Sequence, residues 1–181
     1  MIDDDGRPPP TQWAGPPHGS SADRHLADRV LSGEEQTVAL AQRLAPIVRS
    51  GDVLALWGDL GSGKTVFARA LVRARGSADE EVPSPTFTLV QVYEPAEPQA
   101  AAVWHFDLYR IGGPDDAVEL GLEEALATGV CLIEWPDRLG PLLPERRLDL
   151  VLDAGDAPDY RRLRLAGDAA WRQRLREAGL V

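Results

Sequence analysis

The clearest pattern along the chain is a short apolar run at 53–57, followed by a glycine-rich loop and then by apolar residues at helical spacing over 64–75. A run of this length is too short for a helix and is typical of a buried strand. The sequence therefore predicts a strand, a loop and a helix in direct succession. We expect the other elements to be arranged around this unit.

Alternating or continuous apolar segments predict further strands at 25–31, 87–93, 101–107, 130–135, 148–152 and 160–165. Helical spacing predicts helices at 37–48 and 169–178, and one or two short helices within 115–128. Ser32 and Glu35 have the spacing of a capping box, in which the Ser32 hydroxyl would cap the first of these helices.

Strands that alternate with helices predict an α/β fold, here a P-loop NTPase-type three-layer sandwich with a mixed, mainly parallel sheet. The last two strands surround a Gly/Asp/Pro turn and predict a C-terminal antiparallel hairpin. Residues 1–23 are rich in Pro and Gly and contain little to bury, so we expect a disordered tail there. Residues 24–181 are expected to form a single domain.

The loop after the first central strand carries the full G-x-x-x-x-G-K-[ST] pattern. Its residues are Gly58, Asp59, Leu60, Gly61, Ser62, Gly63, Lys64 and Thr65. Backbone N–H groups of such a loop bind phosphate, while Lys64 would reach the β- and γ-phosphates and Thr65 would bind Mg²⁺. Lys64 is the only lysine of the chain, whose other basic residues are all arginine. This pattern predicts a nucleoside-triphosphate site.

Hydrolysis needs further groups, and polar residues at the ends of other strands are the candidates. Glu134 closes an apolar strand, where a carboxylate that supports Mg²⁺ is expected, and Trp135 beside it would shield the nucleotide or only pack. Asp107 closes another strand and is a second candidate for metal or water contact. Thr86 would present its hydroxyl to Mg²⁺ or the γ-phosphate. His105 is interpreted as a packed strand histidine rather than a base.

Charge and composition limit the other possibilities. The net charge of −10 argues against a large nucleic-acid surface, although residues 161–176 hold six arginines and one aspartate. We interpret this basic segment as a solvated strand and helix face, with a docking patch for RNA or an acidic partner as the alternative. The single cysteine, Cys131, lies in an apolar run and is expected to be a small buried hydrophobe. With neither a signal peptide nor a membrane span evident, a cytoplasmic location is expected.

Four motifs together resemble the TsaE (YjeE) family of bacterial ATPases. They are the loop 58–65, the run 84–87 (SPTF), the run 105–110 (HFDLYR) and the run 133–136 (IEWP), within about residues 30 to 155. The resemblance implies biosynthesis of threonylcarbamoyladenosine in tRNA, next to the anticodon. It implies an accessory ATPase that uses ATP and Mg²⁺, binds the TsaD and TsaB proteins, and contacts tRNA only indirectly.

Residue by residue, the resemblance implies three groups of functional positions. Lys64, Asp107 and Glu134 would be catalytic, and Thr65 and Glu134 would bind Mg²⁺. Nucleotide contacts would come from the loop 58–65, Thr86 and Trp135. Two alternatives remain open from the residues alone: a P-loop small-molecule kinase and a non-catalytic nucleotide switch.

Overall fold

The computed structural model describes residues 24–181, and the predicted tail at 1–23 lies outside the described residues. The strands are β1 (His25–Ser32), β2 (Val53–Trp57), β3 (Val90–Tyr93), β4 (Val103–Asp107), β5 (Val130–Glu134), β6 (Leu148–Ala154) and β7 (Tyr160–Ala166). The α-helices are α1 (Glu34–Leu44), α2 (Lys64–Arg75), α3 (Pro114–Glu119), α4 (Leu122–Thr128) and α5 (Ala169–Glu177), with 3-10 segments at Ala45–Ile47 and Pro136–Leu142.

The seven strands form one mixed sheet in the order β1-β7-β6-β2-β5-β4-β3. The four central strands, β6, β2, β5 and β4, are parallel to one another. Antiparallel pairs add β7 and β1 on one side and β3 on the other. The predicted α/β fold, mainly parallel centre and C-terminal hairpin are therefore confirmed.

Helices cover both faces of the sheet and give it three layers. Helices α1, α2 and α5 pack on one face, and α3, α4 and the segment Pro136–Leu142 pack on the other. Strands β2 and β5 are buried along their whole length, as expected for strands covered on both faces. Cys131 in β5 is a buried hydrophobe as predicted, and burial raises the pKa of its thiol to about 12. Among residues 24–181, no helix is both long and apolar enough to cross a membrane.

The start of α1 differs from the predicted capping box. Strand β1 extends to Ser32, which pairs with Tyr160 of β7, and the helix begins after Gly33 with no side-chain cap. The side chain of Gln36 instead accepts a hydrogen bond from the Ser32 backbone N–H at 2.9 Å. The capping-box prediction was wrong because sheet pairing extends β1 through Ser32.

Strand β3 is shorter than predicted. Residues 86–88 form a turn, and the Leu89 N–H donates to the carbonyl oxygen of Pro85 at 2.6 Å. Leu89 adopts a left-handed backbone with φ 65°, so pairing begins only at Val90. The turn leaves Thr86 next to the end of β4 rather than within the sheet.

The parallel centre brings three strand ends to one edge of the sheet. Trp57 ends β2, Asp107 ends β4 and Glu134 ends β5. Glu134 pairs in register with Leu56 on one side and with Asp107 on the other. The phosphate-binding pattern and both strand-end carboxylates therefore meet at the carboxyl edge, as predicted.

Candidate functional site

The loop 58–65 connects β2 to α2 in a compact turn that Gly58 makes possible. Gly58 has φ 136°, and an added Cβ would lie 2.3 Å from the Leu152 carbonyl oxygen of β6. The Lys64 ammonium donates to the carbonyl oxygens of Gly58 at 2.7 Å and Asp59 at 2.8 Å. These contacts fix the loop close to the sheet edge, with the side chain of Asp59 exposed.

Two other glycines shape the outer side of the loop. Gly61 and Gly63 have φ values of 75° and 105°, which L side chains rarely adopt, and an added Cβ at either would meet nothing within 4 Å. The helix α2 starts directly after Gly63. Unpaired N–H groups at a helix start favour an anion. The loop and helix start therefore form an open cradle of a kind that suits phosphate.

Glu134 is a buried carboxylate held by two side chains. Only 3% of its surface is exposed. The Thr65 hydroxyl donates to Oε2 at 3.1 Å, and the Nε2 atom of His105 lies 2.9 Å from Oε1. Because Thr65 lies in the first turn of α2 and Glu134 ends β5, this contact joins the phosphate-binding pattern to the neighbouring strand.

Asp107 contacts a different partner set at the same edge. Its Oδ2 atom accepts hydrogen bonds from the hydroxyls of Thr86 at 2.8 Å and Ser84 at 3.3 Å. Its Oδ1 atom accepts the Tyr109 backbone N–H at 3.1 Å. Asp107 therefore anchors the segment that carries Thr86, whereas Glu134 is joined to Thr65.

Trp135 covers one side of the site. Its backbone is left-handed, with φ 59°, and this turn directs the chain away from β5 into the 3-10 segment. The Lys64 ammonium lies 4.3 Å from the centre of the Trp135 ring, and the Tyr109 ring lies 4.9 Å away on centroids. The indole thus contacts both a cation and an aromatic ring and is mostly buried.

Burial lowers the pKa of Lys64, while the nearby carboxylates of Glu134, Asp107, Asp59 and Asp137 oppose that shift. Lys64 is 4% exposed. A buried ammonium gains most from an anionic partner, since the partner replaces the lost hydration. The electrostatics of the loop therefore favour an anion beside Lys64.

The loop and strand ends border one cavity of about 380 Å³. Among the predicted site residues, it is lined by Leu60, Gly61, Ser62, Gly63, Lys64, Thr65, Thr86, Asp107, Glu134 and Trp135. Ser84, Tyr109, Arg110 and Val66 complete the lining. Gly58 and Asp59 are not part of the lining, and they contact Lys64 from the base of the loop. The structure thus brings together all but two of the predicted residues.

Sequence reasoning missed one contact to the loop, made by Arg161 at the start of the basic segment. Its Nε atom donates to the carbonyl oxygen of Ser62 at 3.1 Å, and Nη2 donates to that of Gly61 at 3.2 Å. Nothing in the sequence distinguishes Arg161 from Arg162 or Arg164, which follow it in β7. Those two form salt bridges with Asp156, Asp28 and Asp153.

Comparison with known proteins identifies the family. A family model described as "Threonylcarbamoyl adenosine biosynthesis protein TsaE" matches residues 31–163. The chain belongs to the TsaE family. The match begins within β1, ends within β7 and includes every predicted site residue, whereas α5 lies outside it.

Individual TsaE relatives agree with this assignment. The chain is 40% identical over 124 residues to the tRNA threonylcarbamoyladenosine biosynthesis protein TsaE of Bacillus subtilis, a match covering 67% of this chain and 75% of the relative. It is 38% identical over 126 residues to the TsaE protein of Rickettsia conorii, covering 70% of both. The Mycobacterium leprae protein is 38% identical over 133 residues, covering 70% of this chain and 82% of the relative.

A solved structure shares the fold. The crystal structure of Bacillus subtilis YdiB superposes with a TM-score of 0.68 at 30% sequence identity, covering 84% of this chain and 93% of that one. The three-layer architecture predicted from the sequence is therefore the architecture of a known relative.

Proposed function

We propose that this chain is the accessory ATPase of tRNA threonylcarbamoyladenosine biosynthesis. It binds ATP with Mg²⁺, hydrolyses ATP to ADP and phosphate, and acts in complex with the TsaD and TsaB proteins. It reaches tRNA only through them. The observation that carries the proposal is the contact of Glu134 with Thr65 at 3.1 Å, beside the lysine of a complete phosphate-binding pattern.

The phosphates would lie on the open side of the loop. Backbone N–H groups at Gly61, Gly63 and the start of α2 would bind their oxygens, because no side chain occupies that space. Lys64 would exchange its carbonyl partners at the base of the loop for phosphate oxygens. Its burial favours this exchange, since the phosphate charge replaces lost hydration.

The donor set at Thr65 and Glu134 fits Mg²⁺. Both offer oxygen, which this hard cation prefers, and Mg²⁺ usually takes only one or two protein ligands together with phosphate and water. When bound, Mg²⁺ supplies positive charge that neutralises the β- and γ-phosphate oxygens. Thr65 and Glu134 would hold it at the cavity wall, with one carboxylate charge toward the cation.

Asp107 and Thr86 would position the γ-phosphate side of the site. Asp107 fixes the Thr86 hydroxyl at 2.8 Å, so the turn 86–88 is held against the cavity rather than in the sheet. Either group can orient a water through its remaining hydrogen-bonding capacity. Trp135 would shield the phosphates from bulk water at the side where it covers Lys64.

The basic segment gives no lid of the kind a kinase would use. In the described part of the chain, Arg161 contacts the loop carbonyls, and Arg162, Arg164 and Arg174 form salt bridges with aspartates of the same domain. These contacts support the interpretation of residues 161–176 as a strand and helix face. They favour the ATPase proposal over a small-molecule kinase.

The test is ATP hydrolysis by the purified chain, with and without its own TsaB and TsaD proteins, beside tRNA modification over many turnovers. We expect hydrolysis to rise with the partners, and modification to stall after about one turnover when this chain is omitted. Lys64→Ala is the loss-of-binding variant. It should weaken ATP binding by about 2 kcal/mol or more, as for loss of one partner of a buried charge pair. ATP consumption that does not change with the partners, with the γ-phosphoryl group transferred to a metabolite instead of water, would favour the kinase.

A further inference from the structure

Two side-chain hydrogen bonds connect β4 to β5 and β5 to α2. His105 is fully buried, and its Nε2 atom lies 2.9 Å from Glu134 Oε1. The other carboxylate oxygen of Glu134 accepts the Thr65 hydroxyl at 3.1 Å. One oxygen of Glu134 is therefore held from the interior of the sheet, while the other faces the start of α2.

Strand register explains how His105 reaches Glu134. His105 pairs with Leu132, and Asp107 pairs with Glu134, so all four side chains lie on one face of the sheet. Leu132 pairs in turn with Leu54 of β2, and both leucines belong to the core cluster that contains the buried side chains of α2. The imidazole thus lies on the face of the sheet that α2 covers, two residues before the end of β4.

The direction of the hydrogen bond between His105 and Glu134 follows from the chemistry of the carboxylate. A carboxylate oxygen accepts hydrogen bonds, so the Nε2–H group is the donor and Oε1 is the acceptor. The other nitrogen, Nδ1, is buried without a hydrogen-bond partner in the described part of the chain. The Nε2–H group therefore orients the Glu134 carboxylate at 2.9 Å.

We propose that His105 is a positioning residue for the divalent cation: its Nε2–H fixes Glu134 so that Oε2 and the Thr65 hydroxyl form one two-oxygen binding edge. His105 does not line the cavity, so it would touch neither the nucleotide nor the cation. The inference rests on the proposed function, since it concerns the same Mg²⁺ site.

The unpartnered Nδ1 argues against a role in packing alone. An unpaired polar atom in the interior lowers stability, and an apolar side chain of similar size would fill the space without it. What the imidazole adds over such a side chain is the single hydrogen bond to Glu134. Hydrogen bonds from outside the ligand set typically change metal affinity by about 10- to 100-fold.

The experiment measures how strongly Mg²⁺ tightens binding of a non-hydrolysable ATP analogue, as the ratio of its Kd in EDTA to its Kd in Mg²⁺. Titration calorimetry supplies both values without catalysis. We expect His105→Leu to reduce this ratio by about 10-fold or more and to leave the Kd in EDTA unchanged. His105→Gln, whose amide nitrogen reaches about as far as Nε2, should keep the ratio within about threefold of wild type.

His25→Leu is the matched control, because His25 lies on β1 with about half of its side chain exposed, and it should leave the ratio unchanged. If His105→Leu does not fold, His105→Asn replaces it, since the shorter amide cannot reach Oε1, and the same loss is expected. A wild-type ratio in His105→Leu, or in His105→Asn where it replaces that variant, would overturn the inference alone. A wild-type protein whose analogue binding does not respond to Mg²⁺ would overturn the metal site and with it the inference.

Discussion

Two carboxylates in this molecule are equally buried and differ in what holds them. Asp149 of β6 is 2% exposed and Glu134 of β5 is 3% exposed. Asp149 forms salt bridges with the guanidinium groups of Arg147 at 2.6 Å and Arg24 at 3.4 Å, and it accepts the Trp57 indole N–H at 2.8 Å. Glu134 is held instead by a hydroxyl and an imidazole.

The difference separates a structural carboxylate from one suited to bind a cation. Burial disfavours a negative charge unless nearby groups compensate it. Asp149 receives that compensation from two arginines of the chain, and the three segments that contact it are fixed together. Glu134 lies beside a cavity, with Lys64 nearby and donors that orient the carboxylate. Burial alone therefore does not distinguish a structural acid from a candidate cation ligand, whereas the groups that contact the acid do.

The largest effect on stability is expected for Asp149→Ala. The substitution leaves two guanidinium groups and the Trp57 N–H without their acceptor. Breaking a buried ion pair lowers the free energy of unfolding by about 3–5 kcal/mol, and we expect about 3 because the arginines can gain water. Arg24 and Arg147 keep 22% and 11% of their side chains exposed. Urea unfolding followed by circular dichroism measures the change.

A free energy of unfolding of Asp149→Ala within about 0.5 kcal/mol of wild type, the range of ordinary surface substitutions, would contradict the structural role of Asp149. Loss of affinity for the nucleotide analogue in the folded variant would also contradict that role, because Asp149 would then act on the site rather than on the fold.

A smaller effect is expected for Trp57→Phe, which removes one donor to Asp149 and leaves both arginines. The loss of a hydrogen bond to a charged group gives a decrease of about 2 kcal/mol in the free energy of unfolding. Arg164→Ala serves as control, because its pairs with Asp28 and Asp153 are exposed and should contribute under about 1 kcal/mol. Equal decreases in the free energy of unfolding for Trp57→Phe and Arg164→Ala, in the same assay, would contradict the role of the Trp57 hydrogen bond.

Most of the fold could be predicted because its signals are local. Fully apolar runs predicted β2 and β5, alternation predicted the hairpin of β6 and β7, and helical spacing predicted α2 and α5 within a residue or two. The errors fell where a distant partner decides the structure. Ser32 extends β1 because it pairs with Tyr160, and residues 86–88 turn where Thr86 bonds to Asp107.

The site divides in the same way. The loop 58–65 is contiguous and was evident from its spacing, and Glu134 and Asp107 were evident as polar ends of apolar strands. The roles of those two carboxylates could not be separated, because the partners Thr65 and Thr86 are set by strand order. Arg161 contacts the loop from about a hundred residues away, and no local pattern reports such a contact.

The most direct test of the comparison is Glu134→Gln, measured for hydrolysis and stability in the same preparation. The amide keeps the shape of the side chain and can still accept from His105, so the free energy of unfolding should stay within about 1 kcal/mol of wild type. Removal of the charge should slow Mg²⁺-dependent ATP hydrolysis, assayed with the partner proteins, by about 100-fold, as for other losses of transition-state charge stabilisation. Hydrolysis at the full wild-type rate in the folded variant would contradict a role of Glu134 in Mg²⁺ binding and would indicate Asp107 as the metal ligand instead.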